Sequence, residues 1–68
     1  MYSYYMTQRP PQIGAMPRKG LVEIDEFDGK PFIEEIGWDA WAKITYDREL
    51  TPDEVSDYEL IPAKGAEK

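Results

Sequence analysis

The sequence contains neither cysteine nor histidine. Their absence removes disulfides, thiolate zinc sites, cysteine nucleophiles and the usual general base near neutral pH. Ser3 and Ser56 are left without an imidazole to activate them. No apolar run approaches the roughly 18 residues that a membrane span needs, and the first residues lack the apolar centre of a signal peptide. A soluble, cytoplasmic chain is the expectation. The five glycines (Gly14, Gly20, Gly29, Gly37 and Gly65) are scattered, so no phosphate-cradling loop is present. What remains is at most one small domain: 68 residues, near the lower limit for a chain that folds alone.

Charge is plentiful and lopsided. Acids outnumber bases 14 to 8, a net charge of −6. Residues 1–19 carry Arg9, Arg18 and Lys19 and no acid, giving +3. Residues 20–62 carry 13 acids against Lys30, Lys43 and Arg48, giving −10, and residues 63–68 add +1. A basic stretch therefore precedes an acidic body.

Local pattern divides the chain in the same places. Residues 1–19 show no sustained period of 2 or 3.6, and Pro10, Pro11 and Pro17 interrupt any helix. They read as a flexible arm, basic and aromatic, whose Tyr2, Tyr4, Tyr5 and Met6 are unusually apolar for a linker. From Leu21 to Phe27, Val22 and Ile24 alternate with Glu23 and Asp25 as in a half-buried strand. Asp28-Gly29 is a strong turn dipeptide, and Phe32 to Ile36 reads as the return strand of a hairpin. Residues 38–43 are ambiguous: a helix capped by Asp39 would align Trp41 with Ile44, whereas Ile44-Thr45-Tyr46 favours strand from about Trp41 onward.

Thr51-Pro52-Asp53-Glu54 carries the clearest signal. Thr51 suits the N-cap, Pro52 the first helical position, and Glu54 completes a capping box. Asp53 and Glu54 place negative charge at the positive end of the helix dipole. Tyr58 to Ile61 then reads as a last strand, and residues 63–68 as a frayed tail. The expected core is Val22, Ile24, Phe27, Phe32, Ile36, Trp38, Trp41, Ile44, Tyr46, Leu50, Val55, Tyr58, Leu60 and Ile61. So small a core gives marginal stability, which a partner or a second copy would support.

Several chemistries fail on inspection. Asp25 to Ile36 superficially matches a calcium loop, but Phe27 falls at the third ligand position and Ile36 at the twelfth, where a glutamate belongs. Adjacent Glu34 and Glu35 splay to opposite faces of a strand, which does not suit a paired-carboxylate hydrolase. No enzyme, metal or cofactor is expected. Arg9, Arg18 and Lys19 with Tyr2, Tyr4 and Tyr5 combine cations and rings as single-strand binding requires, although the acidic body repels phosphate. Acids on the outward strand face (Glu23, Asp25 and Glu35) together with helix acids (Asp53, Glu54 and Asp57) could form a row that meets a basic groove, as in DNA mimicry. An exposed Trp38 or Trp41 would anchor such a contact, the alternative being that they lie in the core.

The stretch from Trp41 to Leu60 resembles a segment found in small uncharacterised proteins of bacterial mobile elements, including conjugative-element and defence-linked ones. Its form is Tyr-Asp/Asn-Arg-x-Leu-Thr-x-x-Glu-x-x-x-Tyr-Glu-Leu, here Tyr46 through Leu60. The resemblance implies a phage, plasmid or conjugative-element origin and no particular activity.

The reading as a whole is an α+β fold. A small antiparallel sheet holds a β-hairpin, a third strand, a short capped helix and a brief last strand. The flexible arm spans 1–19, the domain 20–62 and the tail 63–68. Its expected function is a non-enzymatic, acidic protein-binding module, an accessory or inhibitor protein that occupies a basic surface of its target. The alternatives are a nucleic-acid accessory protein working through the arm and a homo-oligomeric structural protein, a homodimer being its simplest form.

Overall fold

The computed structural model describes residues 1–12 and 14–63. Its order is β1 (Tyr2–Met6), β2 (Leu21–Glu26), β3 (Phe32–Ile33), β4 (Trp38–Asp39), β5 (Ala42–Tyr46), α1 (Pro52–Asp57) and β6 (Leu60–Pro62). The small α+β architecture with one short helix and a brief last strand is as the sequence indicated. Thr51 Oγ1 accepts from Glu54 N at 3.1 Å, and Glu54 Oε1 accepts from Thr51 N at 2.9 Å. That is the capping box read from the sequence, with Pro52 opening the helix. Residues 38–43 contain no helix: Trp38–Asp39 is β4, Ala42 and Lys43 open β5, and Ala40 and Trp41 link the two.

The main sheet runs β2-β5-β1-β6 and its pairings are antiparallel. Here the expectation of a flexible arm over 1–19 is corrected. Tyr2–Met6 is an interior strand, paired along one edge with β5 (Tyr4 opposite Ile44) and along the other with β6 (Met6 opposite Leu60). Both of its faces are dry. Tyr4 and Met6 join Ile44, Tyr46, Leu50 and Leu60 in one cluster, while Tyr5 joins Ala40 and Ala63 in a second. The following loop is also part of the body: Ala15 and Met16 are buried in the first cluster, and the Tyr46 hydroxyl donates to Pro17 O at 2.5 Å.

The hairpin is corrected too. β2 pairs with β5, across 15 intervening residues, and not with the segment that follows it. β3 pairs instead with β4, in a separate two-stranded ribbon with Ile33 opposite Trp38. Asp28-Gly29 still marks a turn, but the chain leaves the main sheet there and returns at β5. Phe27, Ile33 and Ile36 pack beneath it on Tyr5. Entry into β2 depends on Gly20, at φ +81°, whose carbonyl accepts from Asp47 N at 2.9 Å. At that left-handed φ a side chain is strained, and its Cβ would also press on Asp47 Oδ1 at 2.7 Å, so the position favours glycine.

Ile44 and Tyr46 are fully buried, with Leu50 and Leu60 close behind. Four other expected core residues lie outside: Val22 is 50% exposed, Ile24 44%, and Phe32 and Trp38 60% each. β2 is an edge strand, with its register broken between Leu21 and Glu23, and β3–β4 is a peripheral ribbon; neither can enclose its larger side chains. Their places are taken by Tyr4, Tyr5, Met6, Ala15 and Met16. Of the tail, Ala63 is buried and donates from its N to Ser3 O at 3.0 Å, whereas the frayed tail expected over 64–68 lies outside the described residues.

Two outcomes follow for stability. Removing residues 1–7 should abolish the cooperative urea transition, because β5 and β6 lose their shared neighbour; a folded 20–62 fragment would contradict this. Ile44→Ala should destabilise by about 2–5 kcal/mol, read from the urea midpoint.

Candidate functional site

Strand alternation fixes where the acids point. Glu23 lies opposite Thr45 and Asp25 opposite Lys43, on the sheet face that also carries Ser3 and Tyr5. Both are exposed. Ile24 and Glu26 lie opposite Ile44 and Ala42, on the other face, which holds the first cluster. Asp53 and Asp57 are exposed on α1, whose Val55 packs on that first cluster. The sheet therefore separates Glu23 and Asp25 from the helix acids, and the six expected acids do not form one row.

Two of the six are engaged within the fold. Arg48 Nη1 and Nη2 donate to Glu54 Oε1 and Oε2, each at 2.9 Å, in a bidentate pair. Together with the bond from Thr51 N, this pair holds the Glu54 carboxyl down at about 2. The same pairing raises Arg48. Glu35 Oε1 accepts from the Tyr5 hydroxyl at 3.1 Å, and its Oε2 is buried without a hydrogen-bond partner among the described residues. Burial, reinforced by that carboxyl, pushes the Tyr5 phenol up; burial raises Tyr46 still further.

The tryptophans differ. Trp38 is the exposed one, beside a hollow of about 330 Å³ shared with Thr7, Gln8, Lys30 and Asp39. Trp41 is half-buried, with Lys30 Nζ 5.3 Å from its ring centroid. Exposed Phe32, expected in the core, is a second aromatic on the same ribbon. Its exposure follows from β3 being two residues long at the periphery, which no sequence periodicity announces.

The residues grouped as an arm are largely committed to the fold. Tyr4 and Tyr5 are buried and Tyr2 half-buried, so the rings are not free to stack on bases. Arg9 donates to Tyr58 O at 3.2 Å and to Glu59 Oε1 at 2.5 Å, capping the carbonyl end of α1 from 49 residues away. Arg18 and Lys19 remain exposed. Among the described residues no three acids gather as metal ligands, and no helix is long and apolar enough to cross a membrane. A hollow of about 1010 Å³ opens between α1 and the sheet, against Tyr2, Tyr4, Leu50, Val55, Glu59 and Pro62.

A family model described as "Defence against restriction A C-terminal" matches residues 1–65. The chain belongs to that family. No curated protein and no solved structure matches it. Membership in the defence against restriction A C-terminal family agrees with the defence-linked, mobile-element character read from residues 41–60. It also reaches well beyond that stretch, taking in every strand of both sheets.

Glu54 gives a pH test. Its carboxyl lies at about 2 in the fold against an ordinary 4.5, so between those values the unfolded chain binds the extra proton. The stabilisation is fully present above about pH 4.5 and is lost as pH falls through about 2. Glu54→Gln keeps a cap-competent side chain but loses the ion pair. The difference in urea midpoint between wild type and Glu54→Gln should therefore shrink steadily across that window. A difference constant with pH would remove Glu54 from this role.

Proposed function

We propose that the chain is a non-enzymatic, acidic binding module through which a mobile-element protein counters restriction, by occupying a basic surface on its target. The observation that carries this reading is the disposition of charge. Every described acid other than Glu35 and Glu54 is exposed, while Arg9 and Arg48 are held in the two ion pairs formed among the described residues. The outer charge is left largely unneutralised, and such a field steers encounters with a cationic surface. Surfaces that hold nucleic acid are cationic because they must neutralise phosphate. Restriction enzymes have such surfaces, and a family named for defence against restriction fits a target of that kind. Trp38 and Phe32 supply apolar anchors on the ribbon.

The test is charge reversal on each side of the sheet, as Glu23→Lys/Asp25→Lys and as Asp53→Lys/Asp57→Lys. At least one pair should abolish protection of unmodified DNA entering a restricting host, while circular dichroism reports an intact fold. The same variants should bind DNA more tightly than the wild type in a mobility-shift titration. Undiminished protection by both variants, or DNA binding by the wild type that reversal weakens, would overturn the reading.

A further inference from the structure

The two outer strands of the main sheet are not equivalent. β6 is three residues long and ends in Pro62, which cannot donate to a ladder. β2 is six residues long, and its outer edge has no strand partner among the described residues. At the two ends of its pairing with β5, Asp47 N donates to Gly20 O at 2.9 Å and Phe27 N to Trp41 O at 3.0 Å. Counting inward by the alternation of an antiparallel ladder, the backbone groups of Glu23 and Asp25 face β5. Those of Ile24 and Glu26 face outward.

The two faces of this edge differ in chemistry. On one, Ile24 and Leu21 border a groove of about 350 Å³ that Pro11, Met16, Arg18 and Glu26 complete. On the other, Glu23 and Asp25 stand exposed and form no ion pair among the described residues. A strand laid along β2 would place alternate side chains over each face. Apolar ones would meet Ile24, Leu21 and the Pro11 and Met16 side of the groove, where Arg18 and Glu26 balance in charge, and basic ones would meet the unbalanced Glu23 and Asp25. A second copy of β2 is a poor occupant, since it would set acids against acids across the new pair.

We propose that the outer edge of β2 is a docking site for an extended segment of a partner protein in which apolar and basic residues alternate, bound by strand addition. This rests on the proposed function and names how one part of the target is gripped. Main-chain hydrogen bonds to Ile24 and Glu26 supply affinity, and the two faces supply selectivity. The acids that deter self-pairing thereby admit a cationic strand.

The test uses a synthetic peptide of about ten residues alternating valine and lysine, long enough to cover β2. It should bind the full chain and protect the Ile24 and Glu26 amides from hydrogen exchange. A valine–glutamate peptide should not bind. Glu23→Lys/Asp25→Lys should weaken the lysine peptide by about tenfold or more. N-methylation of every second residue should abolish binding in one phase and be tolerated in the other, because only one edge of the peptide faces β2. Tolerance of both phases, absence of binding, or protection confined to β6 or α1 would overturn the proposal. So would concentration-dependent dimers that protect Ile24 and Glu26 without peptide, since the occupant would then be a second copy. If the peptide fails while Glu23→Lys/Asp25→Lys still loses protection against restriction, only the docking mode falls. If the peptide docks while both charge reversals leave protection intact, the functional reading falls alone.

Discussion

Everything in this fold is referred to a strand with two dry faces. β1 sits between β5 and β6, and its successive side chains serve different layers: Tyr4 and Met6 the cluster under α1, Tyr5 the one under the β3–β4 ribbon. A tyrosine buried in this way carries a hydroxyl that must find a partner. Each hydroxyl consequently ties down a different segment. Tyr4 accepts from Leu50 N at 3.0 Å, which fixes the approach to Thr51 and so the start of α1. Tyr5 donates to Glu35, fixing the ribbon, and Tyr46, in edge contact with Tyr4 at 6.0 Å, holds the loop at Pro17. In a chain this short, three polar anchors inside an otherwise apolar core specify one arrangement where packing area alone is scarce.

The arginines extend the same logic to the helix. α1 is six residues long, too short to persist by its own propensity. Its N-terminus is held by the Thr51–Glu54 box and by Arg48, and its C-terminus by Arg9 on Tyr58 O. Arg48 also reaches Lys19 O at 3.0 Å, so one guanidinium joins the loop before β2 to the first turn of the helix. Arginine suits this task because its planar fork can satisfy a carboxylate and a carbonyl at once. Both guanidinium groups are tied to acceptors of the fold itself, Arg9 at the surface and Arg48 partly covered.

How far the sequence disclosed this depended on whether a signal was local. Thr51, Pro52 and Glu54 are decided within four residues of one another, and the start of the helix was legible to the residue. β5 was legible because Ile44-Thr45-Tyr46 favours strand in almost any setting. β1 was not, for a physical reason. A strand covered on both faces need not alternate apolar with polar, so Tyr2-Ser3-Tyr4-Tyr5-Met6 shows no period of 2. The β2 pairing was hidden because Asp28-Gly29 is equally good at closing a hairpin and at diverting the chain out of a sheet. Glu54 was legible both as a cap and as a contact residue, and a carboxylate clamped by Arg48 and Thr51 N has little left to offer a partner. Trp38 and Trp41 could be separated only by where the fold puts them, the first exposed on the peripheral ribbon and the second half-buried just before β5.

The surplus of surface acid is hard to explain by stability. Like charges on a body with a radius of gyration of 10.7 Å lie within a few Debye lengths of one another, and their repulsion opposes compaction. A small core has little to set against that. Solubility would be served by mixed charge as well as by acid alone. Arg9 and Arg48 are drawn onto the helix ends, and Lys30 and Lys43 onto the rings of Trp41 and Tyr5, which leaves Arg18 and Lys19 as the exposed cations among the described residues. A fold that engages most of its described cations and leaves most of its acids outside keeps a largely unneutralised acidic surface. The proposed role as a module of defence against restriction rests on that surface.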